Sequence, residues 1–322
     1  MFLRKLLASR WVPLPRSLVI EITSYCNLRC QMCPKTHGAV NTEEDRVMSR
    51  ETFDALKGIF PYLTAVEVSG LWGEAFLYPD LYLYMVRKLK TFPINVSTIS
   101  NGTLLKDELA RELVKVGLDR LVFSVDAAKP ETYATIRTPG NMQAVISGLE
   151  SLKNWKHQLG SSLPKVELVF LGMKRNISEF PDFVRMAHRL GASKVTLQAL
   201  GEYERVRGES VAANDKEAGR RFYEQGARVG DELGLTVALV PGDQFEADRQ
   251  GRNMTPNFRR MRKDCPDLWL KAVITTAGDV LPCCSGKVPL GNLAKQSFAE
   301  IWRGRAYRTF RDQIHSSRPP DM

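Results

Sequence analysis

The chain has 322 residues, of which 43% are hydrophobic and 25% are charged. These proportions are ordinary for a globular protein and exclude a disordered chain, a collagen and a coiled-coil rod. No apolar run reaches the ~18 residues of a membrane-spanning helix, and the basic start Met1–Arg10 is too short for a secretory signal. The sequence therefore predicts a cytoplasmic protein of about two domains.

The charge balance is basic, with 46 Lys and Arg against 36 Asp and Glu, a net charge of +10. Such a balance suits an anionic partner or substrate, but it is also common in enzymes that bind no nucleic acid. The excess is concentrated in residues 247–263 and in a late helical stretch that contains Arg303, Arg305, Arg308 and Arg311. We interpret both stretches as solvent-exposed basic faces and expect no nucleic-acid partner.

Strand and helix signals alternate regularly over the first two hundred residues. Apolar residues at helical spacing separate consecutive β-branched runs. These runs predict six strands, at residues 18–23, 65–69, 94–99, 120–125, 165–171 and 194–198. Six β/α units imply parallel strands with helical crossovers, and the sequence predicts an α/β fold with a partial (β/α)6 TIM-like barrel. Ligands of such folds bind at the carboxyl ends of the strands.

The pattern changes beyond residue 200. A helix is predicted around 213–233 and a short strand at 235–239. Two further strands, at 272–276 and 280–281, flank Gly278-Asp279 and predict a hairpin. A closing helix at 297–314 completes a small α+β extension.

Four segments follow from this pattern. We predict an N-terminal extension, the barrel, a connecting segment and a small C-terminal domain, at residues 1–16, 17–200, 201–264 and 265–322.

The six cysteines lie in two groups, Cys26, Cys30 and Cys33 near the start and Cys265, Cys283 and Cys284 near the end. An even number of cysteines is compatible with three disulfide bonds. Clustered cysteines in the reducing cytosol more often bind a metal. We therefore interpret both groups as metal ligands.

The first group has the spacing C-x3-C-x2-C directly after the first strand. Three thiolates on one loop can hold three irons of a [4Fe–4S] cluster and leave the fourth iron without a protein ligand. A zinc site completed by His37 is the alternative. The position of the loop at the mouth of the predicted barrel favours the iron–sulfur cluster.

The segment from Cys26 to Pro34 resembles the signature loop of the radical S-adenosylmethionine (SAM) enzymes, with Met32 at a position that is usually aromatic. The resemblance implies that the open iron chelates the amino and carboxylate groups of SAM. It also implies that the reduced cluster cleaves SAM, and that the resulting 5′-deoxyadenosyl radical abstracts hydrogen from a substrate.

Later segments resemble the SAM-binding elements of the same family at successive strand ends. Trp72 stands where the first glycine of the Gly-Gly-Glu element usually lies. Singly, each element also has a structural interpretation, such as a salt bridge, a turn or a helix cap. The resemblance implies SAM-binding roles for Met32, Gly73, Glu74, Asn101, Ser124, Asp126 and Arg137.

The second cysteine group, with the hairpin and the closing helix, resembles the SPASM/twitch extension of radical SAM enzymes. The resemblance implies an auxiliary [4Fe–4S] cluster bound by Cys265, Cys283 and Cys284. The later C-x2-C pair of that extension does not occur in this sequence, so we expect either a truncated chain or a degenerate site. Buried cysteines under a hairpin are the alternative.

The sequence thus predicts a radical SAM oxidoreductase that carries out a net two-electron oxidation of a small polyol, sugar or cyclitol. The alternative is modification of a peptide or protein side chain, which the short segment before the first strand disfavours because it leaves no room there for a leader-binding domain. A non-catalytic iron–sulfur or zinc scaffold is a hypothesis of another class. An electron donor such as flavodoxin or ferredoxin is expected, and no membrane partner.

Overall fold

The computed structural model describes residues 12–38, 46–202, 204–241, 266–283, 286 and 288–314. Within these residues the chain forms nine strands. In chain order they are β1 Ser17–Glu21, β2 Ala65–Ser69, β3 Asn95–Ser100, β4 Arg120–Ser124, β5 Lys165–Gly172, β6 Lys194–Ala199, β7 Thr236–Val240, β8 Lys271–Ile274 and β9 Val280–Leu281.

The same residues form eleven α-helices, most of which follow a strand. They are α1 Arg50–Asp54, α2 Pro79–Leu89, α3 Asp107–Lys115, α4 Pro130–Ile136, α5 Met142–Gln158, α6 Phe180–Arg189, α7 Val211–Asn214, α8 Lys216–Leu233, α9 Asp267–Leu270, α10 Phe298–Arg303 and α11 Arg305–Ile314. Short 3₁₀ helices occupy Pro34–His37, Lys57–Tyr62, Ala75–Leu77, Ile177–Glu179 and Glu204–Val206.

The chain divides into two compact units, each assembled from separate segments. Unit 1 comprises residues 1–25, 44–98 and 258–322, and unit 2 comprises residues 26–43 and 99–257. The first cysteine group falls in unit 2 and the second in unit 1.

In unit 1 the strand order is β3-β2-β1-β8-β9. The strands β1, β2, β3 and β8 pair in parallel, and Ile20 lies opposite both Val68 and Ile274 in the register. All three of these side chains are fully buried, as expected for parallel strands that are covered on both faces. The predicted hairpin is confirmed, since β9 pairs antiparallel with β8 and Gly278 has a positive φ of 80°. The parallel pairing of β8 with β1 is an addition to that prediction.

In unit 2 the strand order is β7-β6-β5-β4, and all neighbours are parallel. Strand β7 continues the sheet beyond the six predicted strands. Close helix packing makes this possible, because two glycines of α8 bring its backbone against neighbouring side chains. A Cβ at Gly226 would lie 2.5 Å from Phe180, and one at Gly230 would lie 2.5 Å from Val237.

The predicted α/β class with parallel strands and helical crossovers is confirmed. One prediction about charge is wrong. Arg305 and Arg308 are exposed, but Arg311 on the same helix is 5% exposed and points into unit 1. The predicted basic face at 247–263 lies outside the described residues. Among the helices described, none combines the length and hydropathy needed to cross a membrane.

Candidate functional site

The loop after β1 carries Cys26, Cys30 and Cys33 in an apolar setting within unit 2. Cys30 is buried, and the other two are partly buried. None of the three forms a disulfide bond. The buried side chains that pack together with Cys30, and against which Cys26 and Cys33 lie, are Leu28, Met32, Ile136, Met173, Leu200 and Val206. Met32, for which the family resemblance implies a SAM-binding role, therefore lies in the apolar core of this loop.

The loop is fixed by backbone hydrogen bonds to the segment after α4. The Arg29 N–H donates to the carbonyl oxygen of Thr138 at 2.5 Å, and the Gln31 N–H donates to that of Ile136 at 3.1 Å. These two bonds flank Cys30 on one side and Arg137 on the other. Arg137 Nη1 accordingly donates to Cys30 Sγ at 3.8 Å.

Arg137 is also bonded to Asp126, the residue that follows β4 by two positions. Arg137 Nε donates to Asp126 Oδ2 at 2.8 Å, and Nη2 donates to the same oxygen. The Asp126 side chain is fully buried and that of Arg137 is 10% exposed. The pair is thus a buried, charge-neutral fork, in which two guanidinium nitrogens share one carboxylate oxygen. The third nitrogen, Nη1, faces the Cys30 thiol.

The strand end of β5 holds Asp126 in place. Its φ is +68°, a left-handed conformation that is unfavourable for a residue with a side chain. The Leu171 N–H donates to Asp126 Oδ1 at 2.7 Å, and Asn176 Nδ2 donates to the Asp126 carbonyl at 2.8 Å. Asn176 itself is fully buried. Both carboxylate oxygens of Asp126 are therefore already used within the protein.

The charges in this fork change the acidity of the groups around it. Burial raises the pKa of the Cys30 thiol to about 11, although the Arg137 cation acts to lower it. Burial acts to lower the pKa of Arg137, but the carboxylate of Asp126 outweighs it and raises that pKa above its usual value. Arg137 is consequently a permanent cation beside the thiol.

The turn after β3 contacts the start of the cysteine loop. Asn101 Nδ2 donates to Asn27 Oδ1 at 2.9 Å and lies 4.0 Å from Cys26 Sγ. Asn101 Oδ1 accepts from the N–H and the hydroxyl of Thr103, and Asn27 Nδ2 donates to that hydroxyl. The Leu28 N–H donates to Cys26 Sγ at 3.4 Å. Asn101 thus organises both the turn and the first cysteine.

The predicted Gly73–Glu74 element lies in unit 1 and contacts Tyr25, the residue that precedes Cys26. The Glu74 N–H donates to the Tyr25 carbonyl at 2.7 Å. A Cβ at Gly73 would lie 2.3 Å from the Thr23 carbonyl oxygen, so only glycine fits this close approach. Glu74 is 2% exposed, and its Oε1 accepts from the Phe76 N–H.

Two other candidates have less defined surroundings. Ser124 ends β4 and is partly buried. His37 Nε2 contacts the carbonyl oxygen of Gln31. Across the described residues, no three His, Cys, Asp or Glu side chains are grouped so that they could hold one metal ion.

The second cysteine group is represented by Cys283, which follows β9 by two positions and is partly buried. Cys265 and Cys284 lie outside the described residues. Nearby, Arg311 is buried against two aromatic rings, 4.3 Å from the centroid of Trp302 and 4.6 Å from that of Tyr307. Tyr307 donates to the Leu281 carbonyl, two residues before Cys283.

Among the described residues, the buried cation of Arg311 is held by backbone carbonyls and by no carboxylate. Its Nε donates to Leu268 and its Nη1 to Trp302, both at 2.9 Å. Its Nη2 is buried without a hydrogen-bond partner in the part of the chain that the structure describes. Burial lowers the pKa of Arg311 to about 10, which leaves it charged at neutral pH.

Comparison with known proteins identifies the family. The sequence model of the Radical SAM superfamily matches residues 20–195, more than half of the chain. The chain belongs to the radical SAM superfamily. The model of SPASM, an iron-sulfur cluster-binding domain, matches residues 265–321. The predicted cofactors are thereby confirmed at the level of the family: a [4Fe–4S] cluster with SAM, and an auxiliary iron–sulfur cluster.

Relatives of this radical SAM enzyme span most of its length. It is 32% identical to the tungsten-containing aldehyde ferredoxin oxidoreductase cofactor-modifying protein of Pyrococcus furiosus, over 91% of this chain and 82% of that protein. It is 27% identical to the AdoMet-dependent heme synthase of Methanosarcina barkeri, over 92% and 85% of the two chains.

A solved structure with a similar fold is Streptococcus suis SuiB bound to S-adenosylmethionine, with a TM-score of 0.71 at 18% identity. The match covers 93% of this chain and 68% of that chain. A second SuiB structure is described as bound to the precursor peptide SuiA. This likeness confirms the fold, including the small C-terminal extension.

The donor set of the radical SAM loop fits a thiolate-bound cluster. Each cysteine of a [4Fe–4S] cluster ligates a different iron, so the three sulfurs do not have to converge on one ion. Cluster thiolates carry negative charge and accept hydrogen bonds. Here Cys26 faces the Leu28 N–H and the Asn101 amide, and Cys30 faces a guanidinium.

The SPASM region also contains a group that suits an anionic cluster. A cluster ligated by cysteine thiolates carries negative charge, and Arg311 is a buried cation whose Nη2 lacks a partner among the described residues. Burial raises the pKa of Tyr307, which packs against Arg311. The Arg311 cation acts to lower this pKa, and Cys283 acts to raise it. Tyr307 is therefore the residue that senses the charge of both Arg311 and Cys283.

Three residues that organise the radical SAM loop were not predicted from the sequence. Asn27 lies inside the C-x3-C spacing, and Asn176 braces Asp126. Arg175 Nη1 donates to Gln31 Oε1 of the loop at 2.9 Å and also pairs with Glu209. Only Asn27 had a sequence signal, because a short polar residue beside a ligand cysteine is a candidate for orienting it.

Proposed function

We propose that Cys26, Cys30 and Cys33 hold the SAM-binding cluster and that the enzyme abstracts hydrogen from its substrate. The observation that carries this proposal is the three-cysteine loop, whose Cys26 and Cys30 thiols face the amide of Asn101 and the guanidinium of Arg137. When bound and reduced, the cluster supplies the electron that cleaves SAM to the 5′-deoxyadenosyl radical. The loop provides the thiolates, and its apolar packing buries that of Cys30.

We also propose a SAM-contacting role for each of the following residues predicted from the family elements. Glu74 provides a carboxylate for the amino group of SAM, and Gly73 provides a backbone approach that a side chain would block. Asn101 and Ser124 provide polar groups at the ends of β3 and β4. Met32 lies in the loop itself, where its backbone is suited to the adenine.

The auxiliary cluster is proposed to bind at Cys283, together with Cys265 and Cys284. Arg311 supports this site, because the described residues give this buried cation no carboxylate partner and a nearby anion would stabilise it. An auxiliary cluster suits an enzyme that must remove a second electron from the substrate radical. We therefore propose a net two-electron oxidation.

The substrate is proposed to be a small molecule rather than a peptide. Two relatives that span most of this chain are named for chemistry on cofactors, namely a cofactor-modifying protein and a heme synthase. A cofactor or its precursor is therefore favoured within the small-molecule class. The polyol, sugar or cyclitol predicted from the sequence stays a prediction, and so do the cytoplasmic location and a flavodoxin or ferredoxin donor.

Deuterium transfer from the substrate tests this proposal. The anaerobically reconstituted protein is incubated with SAM and dithionite, and with either the small-molecule or the macromolecule fraction of a deuterated cell extract. We expect deuterium in 5′-deoxyadenosine with the small-molecule fraction, because the radical takes its hydrogen from the substrate.

The Cys30→Ala protein is the matched control and should release no 5′-deoxyadenosine. Deuterium transfer from the macromolecule fraction alone would replace the proposed substrate by a peptide or protein side chain. A wild-type protein that binds a cluster but leaves SAM intact under both conditions would contradict the enzymatic proposal and support a scaffold.

A further inference from the structure

We propose that Arg137, held in place by Asp126, is a positioning and tuning residue of the SAM-binding cluster. In this proposal its guanidinium donates to the Cys30 sulfur and raises the reduction potential of the cluster. Asp126 acts through Arg137 and not on the ribose of SAM. This inference rests on the proposed function, because it requires a cluster on Cys26, Cys30 and Cys33.

The first support is the backbone register between the cysteine loop and the segment after α4. The Arg29–Thr138 and Gln31–Ile136 hydrogen bonds place Cys30 opposite Arg137. The main chain thus brings the two residues next to each other. Asp126 then holds the guanidinium so that its Nη1 lies 3.8 Å from Cys30 Sγ.

The second support is that both carboxylate oxygens of Asp126 accept hydrogen bonds within the protein. One carboxylate oxygen accepts the Leu171 N–H at 2.7 Å, and the other accepts two donors of Arg137. The side chain is 0% exposed. A carboxylate that is fully buried and has both oxygens engaged offers a ribose hydroxyl no exposed surface, and it fixes the plane of the guanidinium.

The third support is that the structure maintains Asp126 in an unfavourable backbone conformation. A φ of +68° costs most residues other than glycine about 1–2 kcal/mol, although Asp adopts it more readily than most. Asn176, itself fully buried, donates to both the Asp126 and Leu171 carbonyls and thereby holds this strand end together. The result of this bracing is the orientation of Arg137 toward Cys30.

The electrostatic consequence follows from the charge of the two redox states. The reduced cluster carries one more negative charge than the oxidised cluster, so a nearby cation and an N–H donor to sulfur stabilise the reduced state more. Loss of Arg137 should therefore make the cluster harder to reduce. Because the Asp126 carboxylate balances the charge of Arg137, the hydrogen bond from Arg137 Nη1 to Cys30 Sγ should contribute most of the change in reduction potential.

The test is a potentiometric titration of the reconstituted cluster, followed by EPR in the absence of SAM, so that contact with the SAM carboxylate cannot contribute. Arg137→Met should weaken the electron affinity of the cluster about ten-fold, a fall of about 59 mV for one electron. Arg137→Lys keeps the charge but loses the planar guanidinium that bonds both Asp126 and Cys30. The potential of its cluster should lie between those of the wild type and Arg137→Met.

Arg120→Met is the matched control. Arg120 is the first residue of β4, at the opposite end of that strand from Asp126, and it pairs with the buried Glu167 in the same unit at 3.0 Å. Its cluster should have the wild-type potential. If Arg137→Met does not load with iron, the Asp126→Asn/Arg137→Met protein, which buries no unpaired charge, and Arg137→Lys replace it in the comparison.

The role of Asp126 is tested by pulsed EPR of the reduced cluster in D₂O. The wild type should show an exchangeable deuteron coupling that Arg137→Met lacks and Asp126→Asn weakens. Equal potentials and equal couplings in the wild type and Arg137→Met would overturn the inference. Failure of the wild type to bind a cluster would instead overturn the proposed function.

Discussion

Two buried arginines, one in each compact unit, are held in opposite ways. Arg137 in unit 2 shares two N–H donors with the Asp126 carboxylate and directs a third nitrogen at a cysteine. Arg311 in unit 1 donates to two backbone carbonyls and packs against the rings of Trp302 and Tyr307. The nearby carboxylate raises the pKa of the first, whereas burial lowers that of the second.

The difference shows how each cysteine region balances its charge. In unit 2 the protein neutralises its own cation, so the fork remains intact whether or not the cluster is bound. In unit 1 the described residues give Arg311 hydrogen bonds and aromatic contacts but no carboxylate partner. A buried charge without an ionic partner is unfavourable, and an anionic auxiliary cluster would compensate it.

The largest expected effect separates the two cysteine regions. Cys30→Ala removes an iron ligand of the SAM-binding cluster and should abolish release of 5′-deoxyadenosine, as should Cys26→Ala and Cys33→Ala. Cys283→Ala should lose iron from the auxiliary site and still cleave SAM. Iron counting and product chromatography on the four reconstituted proteins check this separation. A Cys30→Ala protein with wild-type cleavage would contradict it.

The next effect concerns the paired arginine. Arg137→Met leaves the buried Asp126 carboxylate without its cation and should lower the free energy of unfolding by about 3–5 kcal/mol. Asp126→Asn/Arg137→Met removes both charges and keeps an acceptor for the Leu171 N–H, so it should recover much of that loss. Urea denaturation compares the proteins. A double variant no more stable than Arg137→Met would show that the loss does not come from the unpaired charge.

A smaller effect is expected at the buried carboxylate of unit 1. Glu74→Gln removes the negative charge but keeps the acceptor that the Phe76 N–H uses. A charge-assisted hydrogen bond to the amino group of SAM is worth about 1.5–3 kcal/mol, or roughly ten- to hundred-fold in affinity. Equilibrium dialysis with the reconstituted protein measures this change. Unchanged SAM affinity at full cluster content would assign Glu74 to the fold alone.

The smallest effect is expected for Arg311, whose described hydrogen-bond partners are backbone carbonyls. Arg311→Met leaves the Leu268 and Trp302 carbonyls without their donor, but it also removes a buried charge. The net loss of stability should be about 1–3 kcal/mol, less than for Arg137→Met. Arg308→Met, on the exposed side of the same helix, should change stability by less than about 0.5 kcal/mol. A larger loss at Arg311 than at Arg137 would reverse the comparison.

The strands and the hairpin could be predicted from the sequence because their signals are local. The β-branched runs coincide closely with β2 and β4, and the Gly278-Asp279 turn coincides with the observed hairpin. The partners of the later strands could not be predicted this way. The pairing of β7 with β6 and of β8 with β1 depends on tertiary packing, such as the close approach at Gly226 and Gly230.

The sequence named the candidate site residues as a prediction, but it did not predict the contacts among them. Asp126 and Arg137 were predicted together from a family pattern. Their mutual bond depends on a left-handed backbone at Asp126 and on Asn176 from another strand end. Arg311 shows the opposite case, because a run of arginines predicted an exposed face. Helical spacing from Tyr307 instead turns Arg311 toward the interior of unit 1.

Product stoichiometry is the most direct test of the central claim that this chain is a SAM-cleaving enzyme. The wild-type protein, reconstituted anaerobically with iron and sulfide, is reduced with dithionite in the presence of SAM. Both 5′-deoxyadenosine and methionine are then quantified against cluster content. The account predicts equal amounts of the two products, and neither from Cys30→Ala. Intact SAM with a fully loaded and reduced wild-type cluster would contradict it.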